Sequence, residues 1–396
     1  MKEANPKSKT LAAGGKDRSA IPMAGKSADG AYWYDRRSGN WVTSRYYMDH
    51  YPEWVDAFHK RKMPDSYFGR AWEALPGSAE IYAELGIADL DRGVYHWQLP
   101  HPLGGASITP GGGFYEALYD SPYLDWYLVE FAKVMIEAEK LGADAAPDFL
   151  ALCFSTVDSI GHSYGPNSPE ILDAFLRLDL ALGELFEYVD QRIGLERVAV
   201  ALSADHGVMT LPEYQQTQDR EAQRFTTEDV SCFQGTERRL DARFGDDDWI
   251  LEGLYINYQA LGRKNVRREE VENELARLLE RCSPVERVWT RTQLESGNAE
   301  IEGSYFQRFL HSFHPERSAD LMIQLKRNRS SRLFAGTTHG SPYEYDSHVP
   351  MVVMFPGIPA KVVSERVNTV DFAPTLASLL GIATPDDLDG VVRRLR

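Results

Sequence analysis

The chain has 396 residues, of which 43% are apolar and 26% charged, enough to build two ordinary domains or one large α/β domain. A formal charge of −16 and a pI near 5.1 exclude a general nucleic-acid-binding role, and any phosphate ester must be held by local cations rather than by the overall field. Cys153, Cys232 and Cys282 are too few and too scattered to predict a disulfide framework, and no apolar run reaches the roughly eighteen residues needed to span a membrane.

The amino end, Met1-Lys-Glu-Ala-Asn-Pro, is charged, lacks an apolar stretch and does not read as a signal peptide. Residues 9–21 predict a short strand entering a cationic turn at Lys16-Asp-Arg18, and the aromatic runs on either side of Asp35-Arg-Arg-Ser-Gly-Asn40 predict a β-hairpin. The aromatics at 32–47 suit either core packing or a substrate rim, and residues 48–122 read as loops with short helices near 52–61 and 77–85. A helix is expected over 122–141, with Pro122 at its start and Gly142 past its end. A buried strand follows at 148–156, then a loop from Asp158 to Asn167, then a long helix to Arg192 with Ser168 as N-cap. A second buried strand at 197–203 completes a strand–helix–strand unit, which favours parallel pairing.

Downstream, residues 211–248 are polar and partly helical. Trp249–Asn257 reads as a strand, Arg267–Arg281 as a charged helix, and 285–290 and 319–326 as strands. About 211–318 could form an inserted accessory subdomain within a single domain spanning 1–396. Val349–Phe355 is a further strand, and 370–381 a short amphipathic helix stopped by Gly381.

Potential metal ligands cluster at the carboxyl ends of these strands, where open α/β sheets bind their ligands. Asp158 and His162 stand four apart across a glycine-containing turn, Asp205 and His206 leave the second strand together, and His339 sits in Thr337-Thr-His-Gly340. Two carboxylates and three imidazoles are a donor set that zinc takes in catalytic sites. Lys16 and Arg18, as alternate residues of an extended segment, would point the same way.

The ordered set Ser155-Thr-Val-Asp158-Ser-Ile-Gly-His162, Ala204-Asp-His-Gly207 and Thr338-His-Gly340 resembles the alkaline phosphatase superfamily. Lys16-Asp-Arg18, Ala31-Tyr-Trp-Tyr-Asp35, Thr43-Ser-Arg-Tyr-Tyr47, Tyr345-Asp-Ser-His-Val-Pro350 and Asp371-Phe-Ala-Pro-Thr375 are similar to the PafA-type phosphatases within it. The resemblance implies a three-layer α/β/α sandwich with inserted excursions, two zinc ions, and hydrolysis of small-molecule phosphate monoesters through a phosphoenzyme. It further implies a periplasmic or secreted location. Asp158, His162 and His339 would hold the first zinc, Asp205 and His206 the second, and Lys16 and Arg18 the phosphoryl oxygens.

The pattern departs from the family before Lys16, where neither the aspartate that completes the second zinc nor the threonine or serine nucleophile is found. The expectation is an N-terminally truncated member that lacks a strand–helix segment, has an open sheet edge and has little or no turnover. The rivals are a phosphodiesterase or nucleotide pyrophosphatase on the same fold, disfavoured by the Lys16/Arg18 pair, and an inactive metal-binding fragment. A sulfatase needs Cys-x-Pro-x-Arg, and Cys282-Ser-Pro-Val-Glu286 ends in the wrong residue. His50, His59, His96 and His101 read as surface or packing residues, His348 as a packed structural histidine in preference to one supporting the metal ligands, and Asp173 and Asp179 as capping or salt-bridge groups.

Overall fold

The structure is a computed structural model that describes residues 1–84, 99–104, 107–216, 218–297 and 305–394. His96 and the expected loop across 85–98 lie outside the described residues. Two compact units emerge, one from Met1–Ala204 with Pro350–Arg396, the other from Asp205–Val349.

In the first unit, β1 (Thr10–Gly14) runs into helix α1 (Asp17–Ala24), then β2 (Gly30–Tyr34) and β3 (Trp41–Val42). The expected hairpin is present: Trp33 pairs with Val42 and Tyr34 with Trp41, antiparallel. Helix α2 (Tyr123–Glu139) precedes β4 (Phe149–Cys153), and helices α3 (Thr156–Tyr164) and α4 (Pro169–Arg192) follow it. Ser168 caps α4 as anticipated, its hydroxyl accepting from the Ile171 N–H at 3.2 Å. The sheet order is β3-β2-β1-β4, with β1 parallel to both β2 and β4.

Successive side chains of β1 point to opposite faces, so this strand buries both sides. Leu11 and Ala13 join an aromatic core with Tyr32, Trp41, Tyr127 and Phe131. There Trp41 stacks on Phe131 at 5.1 Å, and Phe58 meets Phe131 edge-on at 5.1 Å. A Cβ at Gly14, on the other face, would lie 3.3 Å from the Ser19 hydroxyl of α1. Helices thus cover both faces of this sheet, the layering expected of an α/β/α fold. The hairpin aromatics Tyr32, Tyr34 and Trp41 pack the core, while Tyr46 is exposed.

Three expectations are corrected in this unit. Residues after Lys16 leave the strand as helix α1 rather than as an extended turn, with Asp17 in the first helical turn where the helix dipole favours an acid. Residues 156–164 form α3 instead of a loop; Gly161 is accommodated inside the helix, and Gly165, at φ 81°, ends it. Strand β5 (Val200–Ser203) does not pair in parallel with β4. It pairs antiparallel with a late strand, Met351 opposite Ser203, because the chain returns from the second unit at Pro350 running the other way. β4 ends its sheet, and no strand pairs with its far edge among the described residues.

The second unit contains helices Thr227–Gln234 and Thr236–Phe244, the charged helix α5 (Arg268–Leu279), and strands β6 (Val285–Thr290) and β7 (Leu321–Leu325) in an antiparallel pair. The single strand expected at 249–257 is a small hairpin, because the chain reverses through Gly253 and Leu254, both left-handed. The larger correction is covalent. Cys232 and Cys282 form a disulfide with their Cα atoms 5.8 Å apart, since α5 and the Thr227–Gln234 helix share one core. A short helix α6 (Glu344–Ser347) precedes the return to the first unit, where β8 (Met351–Met354) and helix α7 (Phe372–Leu379) complete the chain, with Gly381 after α7 as expected. His348 is exposed rather than packed, whereas Asp173 has the structural role anticipated, accepting from the Trp72 indole at 2.7 Å and the Arg177 guanidinium at 2.6 Å.

One buried acid ties α2 to α3. Asp125 is 1% exposed, accepts from the Thr156 hydroxyl through Oδ2, and has no partner at Oδ1. Burial pushes its carboxyl up from 3.8 to about 7, against the lowering effect of the Thr156 contacts. The folded state therefore keeps a proton that the unfolded chain releases, so stability falls as pH rises from about 4 to about 7 and then levels. Asp125→Asn, which keeps an acceptor for Thr156, should flatten that decline in urea unfolding followed across pH 4–8. A second expectation concerns the disulfide. It closes a loop of sequence separation 50, so Cys232→Ser should destabilise the second unit by ~4 kcal/mol on the chain-entropy model, read as an earlier urea transition.

Candidate active site

The first unit brings three of the predicted residues together at the carboxyl ends of adjacent parallel strands. β1 and β4 pair with Gly14 opposite Cys153. Their ends approach so closely that a Cβ on Gly14 would lie 2.7 Å from the Cys153 Cβ, and one on Gly15 2.7 Å from the Ser155 Cβ. The residues that follow are Lys16, N-cap of α1, and Asp158, in the first turn of α3. The Lys16 ammonium donates to Asp158 Oδ2, and both side chains are largely buried.

Because residues 156–164 are helical, Asp158 and His162 stand one turn apart on one face of α3, with His162 Nε2 3.4 Å from Asp158 Oδ1. The helix polarity suits the pair, the acid lying in its first turn and the imidazole in its last. Two further struts hold α3: the Thr156 hydroxyl donates to Asp125 and the Ser159 hydroxyl to Asp120. Arg18 does not join this cluster as a strand neighbour of Lys16. It lies exposed in the first turn of α1, with its N–H donating to Asp17 at 2.7 Å.

The second unit gathers the other three. Asp205 and His206 follow β5 directly, with His206 Nε2 3.4 Å from Asp205 Oδ2. The His206 and His339 rings stack at 3.4 Å, tilted by 13°. His206 Nδ1 lies 2.8 Å from the Gly207 carbonyl. A carbonyl only accepts, so Nδ1 carries the proton in this contact. The two loops are laced: the Thr337 hydroxyl donates to the Met209 carbonyl at 2.7 Å, and the Met209 N–H to the Thr338 carbonyl at 3.3 Å.

The donors suit a borderline divalent cation. In the first unit the Asp158 carboxylate already attracts a cationic group, Lys16, beside a neighbouring imidazole. In the second, the His206 imidazole lies beside the Asp205 carboxylate. Carboxylate oxygen with imidazole nitrogen is the mixed set that zinc accepts. Reading the sequence missed Asp346. It lies in the Tyr345–Pro350 motif, but its burial and its grip on the His339 loop come from folding contacts that no spacing reveals.

This layering, with cation and ligand groups at the strand ends, is that of an α/β/α fold of the alkaline phosphatase type. The model of the type I phosphodiesterase / nucleotide pyrophosphatase family matches residues 23–341, and the chain belongs to that family. It is 31% identical to a calcium-transporting ATPase of Myroides odoratus, over 96% of this chain and 71% of that protein. It is 29% identical to alkaline phosphatase PhoV of Synechococcus elongatus, over 98% of this chain and 70% of the relative. A crystal structure of alkaline phosphatase PafA superposes with a TM-score of 0.85 at 27% identity, covering 98% of this chain and 75% of that one.

Gly207 gives the sharpest local test. A Cβ there would lie 2.1 Å from the Tyr345 carbonyl, and the Gly207 N–H donates to the Asp346 carbonyl at 2.7 Å. Gly207→Ala should therefore displace the 205–209 loop. The expected result is a weaker Zn2+ complex by isothermal titration, with far-ultraviolet circular dichroism unchanged.

Proposed function

We propose that the chain is a zinc-dependent phosphomonoester hydrolase. Asp158, His162 and His339 hold one cation, Asp205 and His206 a second, and Lys16 and Arg18 the phosphoryl oxygens. The observation that carries this reading is the meeting of Lys16, Asp158 and His162 at the ends of β1 and β4, in a chain that matches alkaline phosphatases over nearly its whole length. A bound divalent cation would supply Lewis acidity toward a phosphoryl oxygen. The chain's own residues bind and orient: Lys16 contributes a point charge, and Arg18 a guanidinium that can take two oxygens at once.

A dianionic monoester gains from both cations, and a singly charged diester gains less, which favours monoesters over the diesters after which the family is named. None of the seven assigned residues is a hydroxyl nucleophile, and two protein ligands for the second cation are fewer than the three that catalytic zinc usually has. The set therefore binds metal and phosphate better than it turns substrate over. The Cys232–Cys282 disulfide supports an oxidising location, periplasmic or extracellular. No helix of the described residues is long and apolar enough to cross a membrane.

The test is metal content after dialysis together with hydrolysis of p-nitrophenyl phosphate and bis-p-nitrophenyl phosphate. One tightly retained zinc per chain, a second bound only from excess Zn2+, and slow turnover of the monoester are expected. Faster diester hydrolysis would reassign the substrate class, and two tight zincs with rapid turnover would overturn the weak second site. A charged hydrogen bond contributes about 1.5–3 kcal/mol. Lys16→Ala should accordingly lower monoester kcat/KM by roughly ten- to a hundredfold, Arg18→Ala, at an exposed side chain, by less, and both should affect diester kcat/KM much less.

A further inference from the structure

Asp346 is 4% exposed and sits in the short helix α6, yet its Oδ2 and backbone carbonyl bond the two loops that carry His206 and His339. Its Oδ2 accepts from the Ser341 N–H at 2.7 Å and from the Ser341 hydroxyl at 2.6 Å, two residues past His339. Its backbone carbonyl accepts from the Gly207 N–H at 2.7 Å, the residue after His206. One residue thus fixes the chain immediately beyond each of two stacked imidazoles. The second carboxylate oxygen, Oδ1, is buried and has no hydrogen-bond partner. A buried carboxylate oxygen left unpaired costs free energy, on the order of a few kcal/mol, unless a positive charge repays it.

We infer that Asp346 is the positioning residue of the metal centre, clamping the His339 loop to the Asp205-His206 loop. This rests on the metal reading above. Outer-shell groups that fix the loops carrying ligating imidazoles set the orientation of those rings, and loss of an outer-shell partner typically lowers metal affinity by about 10–100-fold.

The experiment titrates the full chain, freed of metal, with Co2+ and Zn2+. It follows the visible Co2+ spectrum and the affinity by chelator competition for the wild type, D346A, D346N, S341A and, as a control, H339A. D346A should weaken Co2+ and Zn2+ binding by about 10–100-fold and alter the Co2+ band shape. D346N, which keeps an acceptor for Ser341, should recover part of the affinity, and S341A should show a smaller loss. A merely structural role would lower the thermal midpoint of the metal-free protein without changing the band shape of the Co2+ complex. Wild-type affinity and band shape in D346A would overturn the assignment. If D346A does not fold, the same result in both D346N and S341A would overturn it. A wild-type chain that binds neither ion would instead overturn the metal reading itself, and this assignment with it.

Discussion

The close approach of two parallel strands is the constraint on which the first unit's chemistry depends. β1 and β4 can run side by side to their ends only because Gly14 and Gly15 carry no side chain where Cys153 and Ser155 press in. The chain then turns into a helix on both strands, and the first residues of those helices face each other as an ion pair, Lys16 to Asp158. The core beneath holds this geometry from one side, through Leu11 and Ala13 against the Tyr127/Phe131 cluster. From the other side α1 closes over Gly14. A methyl group at either glycine would separate the strands, and with them the cation from its carboxylate.

Much of this was legible in the sequence, and the failures have identifiable causes. The hairpin, α2, α4 and the apolar strands were readable because each has a strong period and clear ends, such as Ser168 before Pro169 or Gly142 after α2. The helix at 156–164 was not readable. Gly161 and the polar residues around it read as a loop, whereas tertiary struts from Asp120 and Asp125 hold the segment helical. That change of element matters for the site, since it sets Asp158 and His162 one helical turn apart instead of across a turn. The pairing of β5 with β8 was equally hidden, because the partner lies some 150 residues further on, beyond the whole second unit.

The candidate ligands were found by residue type and by their position after strands, a signal that survives errors in the intervening elements. Arg18 shows the limit of that approach. The Lys-x-Arg spacing suits an extended segment, and a helix start turns the two side chains by a different angle. Asp346 shows the opposite limit. Nothing in its spacing separates it from Asp173 or Asp371, both buried and both structural, until the loops it joins are seen. The family match starts at residue 23, past Lys16 and Arg18, so the cationic turn is carried by the likeness to the alkaline phosphatases alone.

The single covalent cross-tie lies in the same folding unit as Asp205, His206 and His339, whereas Lys16, Asp158 and His162 belong to the other. Material produced in a reducing cytosol would carry thiols at 232 and 282, and its penalty would fall on one set of donors only. Two preparations with identical sequence could then differ in how firmly they grip metal, according to the oxidation history of a bond that touches none of the ligands.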